Sequence, residues 1–267
     1  MARTRTADNP LPAGWLDDFM DRGDFDRSFS ALGSNSHFYA EALRGHIRSQ
    51  QLRFEEAWQH FDRAQELVDE AEENIPNLIR EFLLHIWCFE NAIVEAPLIE
   101  TNINPPALWI PELPPQVMED YPEVRLVLNM RRNAEALLRL HLGHWDDSSE
   151  LYQELIQDNQ RERGDQLAFY YFGLAACQYN MGMEEEARRN LENSGFSILT
   201  GGRTFNRAKA AAILFALYSH LEDEEEATSW TQFLQSLPCP DATKEVFLER
   251  GKILLDRCAQ RESLLVL

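Results

Sequence analysis

A chain of 267 residues with 44% hydrophobic, 26% charged and 10% aromatic residues has globular composition, with no low-complexity or disordered bias. Its 25 Lys and Arg against 45 Asp and Glu leave a formal charge of −20, which argues against nucleic acid or an anionic membrane as partner, because neutralising phosphates needs clustered cations. A protein or peptide partner of basic or apolar character fits better, although acidic faces also keep a protein soluble without any partner.

The first residues, "MARTRTADNPLP", hold no apolar run of the kind a signal peptide needs, and residues 1–11 read as a flexible lead-in. No stretch of about 18 apolar residues follows, so no membrane span is expected. Cys88, Cys177, Cys239 and Cys258 are far apart, which fits free thiols in a reducing compartment and a cytoplasmic chain.

Apolar residues recur at three- and four-residue spacing along nearly the whole sequence, and sustained two-residue alternation is missing, so the fold class is all-α. "WLDDFMDRGDFDRSFSAL" reads as a short helical hairpin turning at Gly23, Asp24 and Phe25. Next, Ser36 is a candidate cap for a helix running to about Gln51, and Phe54 to about Ala71 forms its antiparallel partner. These pairs occupy residues 12–73.

Asn74 then caps a long apolar helix, "NIPNLIREFLLHIWCFENAIVEA", with Pro76 in its first turn, where proline is tolerated. A second helix should follow, but Pro97, Pro105, Pro106, Pro111, Pro114 and Pro115 forbid one. Residues 97–121 are therefore expected to form an ordered, extended Pro-rich insert in place of that helix, completing an unpaired unit over 74–121. Leu108, Trp109 and Ile110 either cover the apolar flank left by the absent helix, with Trp109 against the helix bearing Trp87, or form a lid on a groove. A third reading takes "PELPP" as a polyproline ligand for another protein.

Three more pairs span 122–237, and a helix over 241–262 caps the last of them. In each pair a short turn and a run of acids precede a second helix with a small residue early and a bulky one four later. The small residues are Ala57, Ser148, Ala187 and Ala227, and the bulky ones include Phe61, Tyr152 and Leu191. A small side chain lets the first helix approach closely, and the bulky one fills the space beyond. The acids, such as Glu184 to Glu186, complement the positive end of the helix dipole.

This order of small and large positions resembles the tetratricopeptide repeat, best at Gly45, Ala57, Phe61 and Ala64, and again at Leu174, Ala175, Gly182, Ala187 and Leu191. The resemblance implies a right-handed α-solenoid of stacked antiparallel helix pairs, one domain over 1–267, with a concave groove lined by first helices. It places Tyr39, His46, Gln50, Asn133, Phe172, Tyr179, Asn180 and Lys209 on the groove as a peptide-binding set. Each of these is equally at home in ordinary packing. The subgroup that grips C-terminal carboxylates uses a lysine and an asparagine where this chain has Ala42 and His46, so a carboxylate clamp is not expected.

Catalytic and metal motifs are weak. "HIWC" and "HLGH" each bring together only a pair of candidate ligands, and "TGGRT" lacks the lysine of a phosphate loop and reads as a turn. The expectation is a non-enzymatic adaptor or regulator without metal or cofactor that binds a protein or peptide. The alternative is an acidic subunit or inhibitor that masks a basic surface, and an enzyme on a helical scaffold comes after both. Repeat arrays with exposed end helices also self-associate, so a homo-oligomer is possible.

Overall fold

The computed structural model describes residues 15–71, 73–95, 123–159 and 165–265. Among these residues every regular element is a helix, as the periodicity requires: α1 (Trp15–Met20), α2 (Phe25–Ala31), α3 (Phe38–Gln50), α4 (Phe54–Val68), α5 (Ile75–Glu95), α6 (Glu123–His141), α7 (Trp145–Asn159), α8 (Asp165–Asn180), α9 (Glu184–Thr200), α10 (Thr204–His220), α11 (Glu224–Ser236) and α12 (Asp241–Arg261). No helix among them is long and apolar enough to cross a membrane. The expected insert, with Leu108, Trp109, Ile110 and the contact of Trp109 with Trp87, lies outside the described residues.

Four of the turns are built alike. Leu52, Gly143, Gly182 and Glu222 all adopt positive φ, at 62°, 82°, 79° and 58°. In each turn the next N–H reaches the carbonyl five residues back: Arg53 to Arg48 at 2.9 Å, His144 to Arg139 at 2.9 Å, Met183 to Gln178 at 2.8 Å and Asp223 to Tyr218 at 2.9 Å. The positive-φ residue's own N–H bonds the carbonyl three back, so each first helix ends in a Schellman cap that satisfies two of its orphan carbonyls. The second helices start on acids, Glu184 to Glu186 in α9 and Glu224 to Glu226 in α11, where the helix dipole favours them.

The small-then-bulky spacing also does what packing requires. Ala57, Ser148 and Ala187 are fully buried, and Phe61, Tyr152 and Leu191 are almost so. A methyl group added at Gly45 would sit 2.5 Å from the ring of Phe61, so the close approach of α3 and α4 depends on that glycine. The Ser148 hydroxyl donates to the Ala136 carbonyl at 2.7 Å, which seats α7 against α6 without an unpaired polar atom.

Consecutive helices pack along the chain: α3 with α4, α5 against both and against α6, then α6 with α7, α8 with α9, and α10 with α11. The first helices α6, α8 and α10 also touch in series. The helix starting near residue 36 is capped by His37, whose Nδ1 accepts from the Tyr39 N–H at 3.1 Å, and not by Ser36. An imidazole one residue on can fill the capping role that the serine hydroxyl was expected to take.

Among the described residues, α1 and α2 meet α10 and α12. Phe19 lies 4.6 Å from Phe205 and Phe25 lies 5.9 Å from Phe247, ring centre to ring centre. The Thr243 hydroxyl donates to the Gly23 carbonyl at 2.6 Å. From α12 the Arg250 Nη1 donates to the Ser49 carbonyl at 2.9 Å and the Gln50 carbonyl at 3.3 Å, and Arg261 donates to the His141 carbonyl at 3.1 Å. The last helix thus supplies cations to the carbonyl-rich ends of α3 and α6, where the dipole is negative.

Candidate functional site

The residues expected on one continuous groove separate into two places. On α3 the Tyr39 ring stacks 6.1 Å from Trp87 of α5, with the Arg80 guanidinium 5.5 Å from the ring centre. His46, two turns along, stacks 4.7 Å from the same indole and meets Phe19 edge-on at 5.8 Å. Gln50 is buried, with its carbonyl taken by Arg250 and its side-chain oxygen without a hydrogen-bond partner among the described residues. Lys209 of α10 is half-buried, with Nζ 5.5 Å from the centre of the Phe169 ring.

This first place is electrostatically coupled. Burial, then the charges of Lys209 and Arg250, pull the His46 imidazole down to about 3, so it is neutral at ordinary pH. Burial and Arg250 lower Lys209 to about 8, with Glu90 opposing. Burial raises the Glu90 carboxyl, against the pull of the same two cations. A cavity of about 10 Å³ beside Lys209 and Arg250 has room for a single water. Sequence reasoning missed Glu90 and Arg250; the signal for the first was a lone acid in the apolar run "WCFENAIV".

Phe172 is wholly buried and belongs to the core. Asn133 sits half-buried on α6. Phe172 and Gln50 are buried and therefore offer a partner no surface. The closing of the chain on itself, which sequence periodicity does not encode, is what covers the α3 positions.

The second place lies at the far end of α8. Asn180 receives the Leu264 N–H on its side-chain oxygen at 2.8 Å and donates its amide nitrogen to the Leu264 carbonyl at 2.8 Å. One side chain thus engages both main-chain groups of one residue in the segment after α12. That segment leaves the helix at Glu262, whose φ of 50° is left-handed, and both Leu264 and Leu265 are buried. The Leu265 N–H points at the Cys258 sulfur, 3.3 Å away.

Beside this contact opens a cleft of about 430 Å³, lined by Leu140, Leu142, Trp145, Tyr179, Arg261 and Leu265 among others. Its size falls in the range of small-ligand and peptide-anchor sites. Leu142 stands 40% exposed at its rim. Tyr179 meets His220 edge-on at 6.0 Å.

The buried thiols are poor nucleophiles. Burial pushes the thiols of Cys177 and Cys258 up to about 11 and that of Cys88 to about 12, which keeps them protonated and unreactive at neutral pH. What the second place offers is hydrogen bonding to main chain, an aromatic and aliphatic wall, and one guanidinium. Compared with known proteins, the chain matches no protein-family model, no curated protein and no solved structure.

Proposed function

We propose that this chain is a tetratricopeptide-like α-solenoid that works without catalysis, as a scaffold or adaptor holding a protein segment at the cleft between the ends of α6 and α8. The observation that carries the reading is the paired contact of Asn180 with Leu264: a groove-side amide grips the backbone of an extended segment, next to open apolar surface. The four matching turns and the small-then-bulky packing support the solenoid. Main-chain hydrogen bonds supply affinity and side-chain pockets supply selectivity in this mode of recognition. The charge of −20 favours a partner with basic residues around an apolar anchor.

The test is a displayed library of random twelve-residue peptides panned on the immobilised full chain, with Leu142→Glu as counter-target. That substitution is at an exposed position and should leave the fold intact. Enriched peptides are expected to bind at micromolar concentrations and to lose at least tenfold in affinity on the variant. Enrichment of nothing, or of peptides that bind both proteins equally, would sink the reading.

A further inference from the structure

Resting on that reading, we infer that residues 263–265 are a built-in pseudo-ligand, and that the partner segment displacing them carries two consecutive leucines in an extended backbone. The inference starts from what Asn180 touches. Both of its bonds go to the main chain of Leu264, which any residue other than proline offers equally. The contact therefore fixes an extended conformation without being tied to this chain's own segment. Selection comes from the side chains, and the structure shows which ones fit: Leu264 is fully buried and Leu265 is 2% exposed.

The segment leaves α12 through a cap like the four described above, with Glu262 at positive φ and the Ser263 N–H on the Cys258 carbonyl, so its own attachment begins only at Leu264. Beyond the helix, the described hydrogen bonds of Ser263, Leu264 and Leu265 are the two to Asn180, one to the Cys258 sulfur and one from the Ser263 N–H to the Cys258 carbonyl. Short segments held by few hydrogen bonds open locally, below the free energy of global unfolding. The cleft beside Leu265 is walled by Leu142, which is 40% exposed, and by the half-buried Trp145 and Tyr179, so an incoming segment with further apolar residues packs against them. A partner with the same leucine pair and further apolar residues would outcompete it. An intramolecular occupant of this kind raises the threshold for weak ligands, because the competent state is only fractionally populated.

The experiment uses a fluorescein-labelled acetyl-RESLL-amide peptide and the full chain. With Leu264→Ser and Leu265→Ser introduced together, the cis segment loses its apolar anchors while Asn180 and the wall of Leu142, Trp145 and Tyr179 are unchanged. The peptide is expected to bind this variant at least tenfold tighter than the parent. Adding Asn180→Ala to the variant should remove that gain, and a RESSS peptide should not bind. Equal binding to parent and double variant, with helicity retained by circular dichroism, would overturn the inference; the peptide-library result stands independently and decides the broader reading.

A second measurement does not rely on any variant. In the parent, the amides of Leu264 and Leu265 should exchange with deuterium at least a hundredfold faster than those of Gly251 and Leu254 in α12, and faster still when unlabelled RESLL is added. Exchange as slow as that of α12 and indifferent to peptide would equally overturn it.

Discussion

His46 shows how one residue records its surroundings. Its type suggested a polar groove position, yet it is stacked between Trp87 and Phe19 and faces Lys209 and Arg250, with Glu90 on the neighbouring helix. Its imidazole falls from 6.5 to about 3 on folding, so between those values the unfolded chain binds a proton that the folded one refuses. Stability therefore rises with pH across that window and is lost on acidification, at up to about 1.4 kcal/mol per pH unit for one proton. His220 is lowered as well and adds the same sign. Urea midpoints are expected to fall from pH 7 to pH 5.5 in the parent and to fall less in His46→Phe, which keeps the ring stack. An unchanged slope would show that His46 is solvated.

Among elements, the Schellman turns are the repeated component. Two of the four carry glycine at the left-handed position, but Leu52 and Glu222 do not, and an L-residue there costs about 1 kcal/mol. Glu222 is exposed, so Glu222→Gly is expected to raise stability by about 0.5–1 kcal/mol, read as a higher urea midpoint at constant slope. The gain is net of the greater freedom glycine has when unfolded. A loss of stability would mean that the Glu222 side chain contributes to the α11 N-terminus beyond the cap already supplied by Asp223, whose carboxylate accepts the Glu226 N–H at 3.3 Å. The turns were readable in outline from "RGD", "LGH" and "MGM", because glycine marks a left-handed residue. Leu52 and Glu222 gave no such signal, since their backbone is held by the helices on either side.

For the whole molecule, the joining of the two ends changes how it should unfold. A linear array loses its end units first, because each unit contacts only its neighbours. Here Phe19 packs on Phe205, Thr243 bonds Gly23, and Arg250 reaches the end of α3, so the first helices cannot leave without uncovering the last. The parent is expected to unfold in one step, with tryptophan fluorescence and far-ultraviolet circular dichroism giving the same midpoint. Phe19→Ala removes a buried ring, should cost about 3–5 kcal/mol, and should separate the two transitions as the ends come apart. Coincident transitions in that variant would show that the ends are not energetically coupled.

The helices and their pairing, the small residues at close approaches and the turn at residues 200–204 followed from the sequence, because periodicity, glycine and capping chemistry act within a few residues of one another. Asn180 and Tyr179 stand together at the second place because they share the last turn of one helix. Contacts between residues far apart in the chain left no trace in local pattern. The covering of the α3 positions by α1, α5 and α12, the influence of distant cations on Glu90, and the occupation of Asn180 by Leu264 all depend on how helices settle in space. That placement is a property of the summed packing of the helices, and no short stretch of sequence contains it.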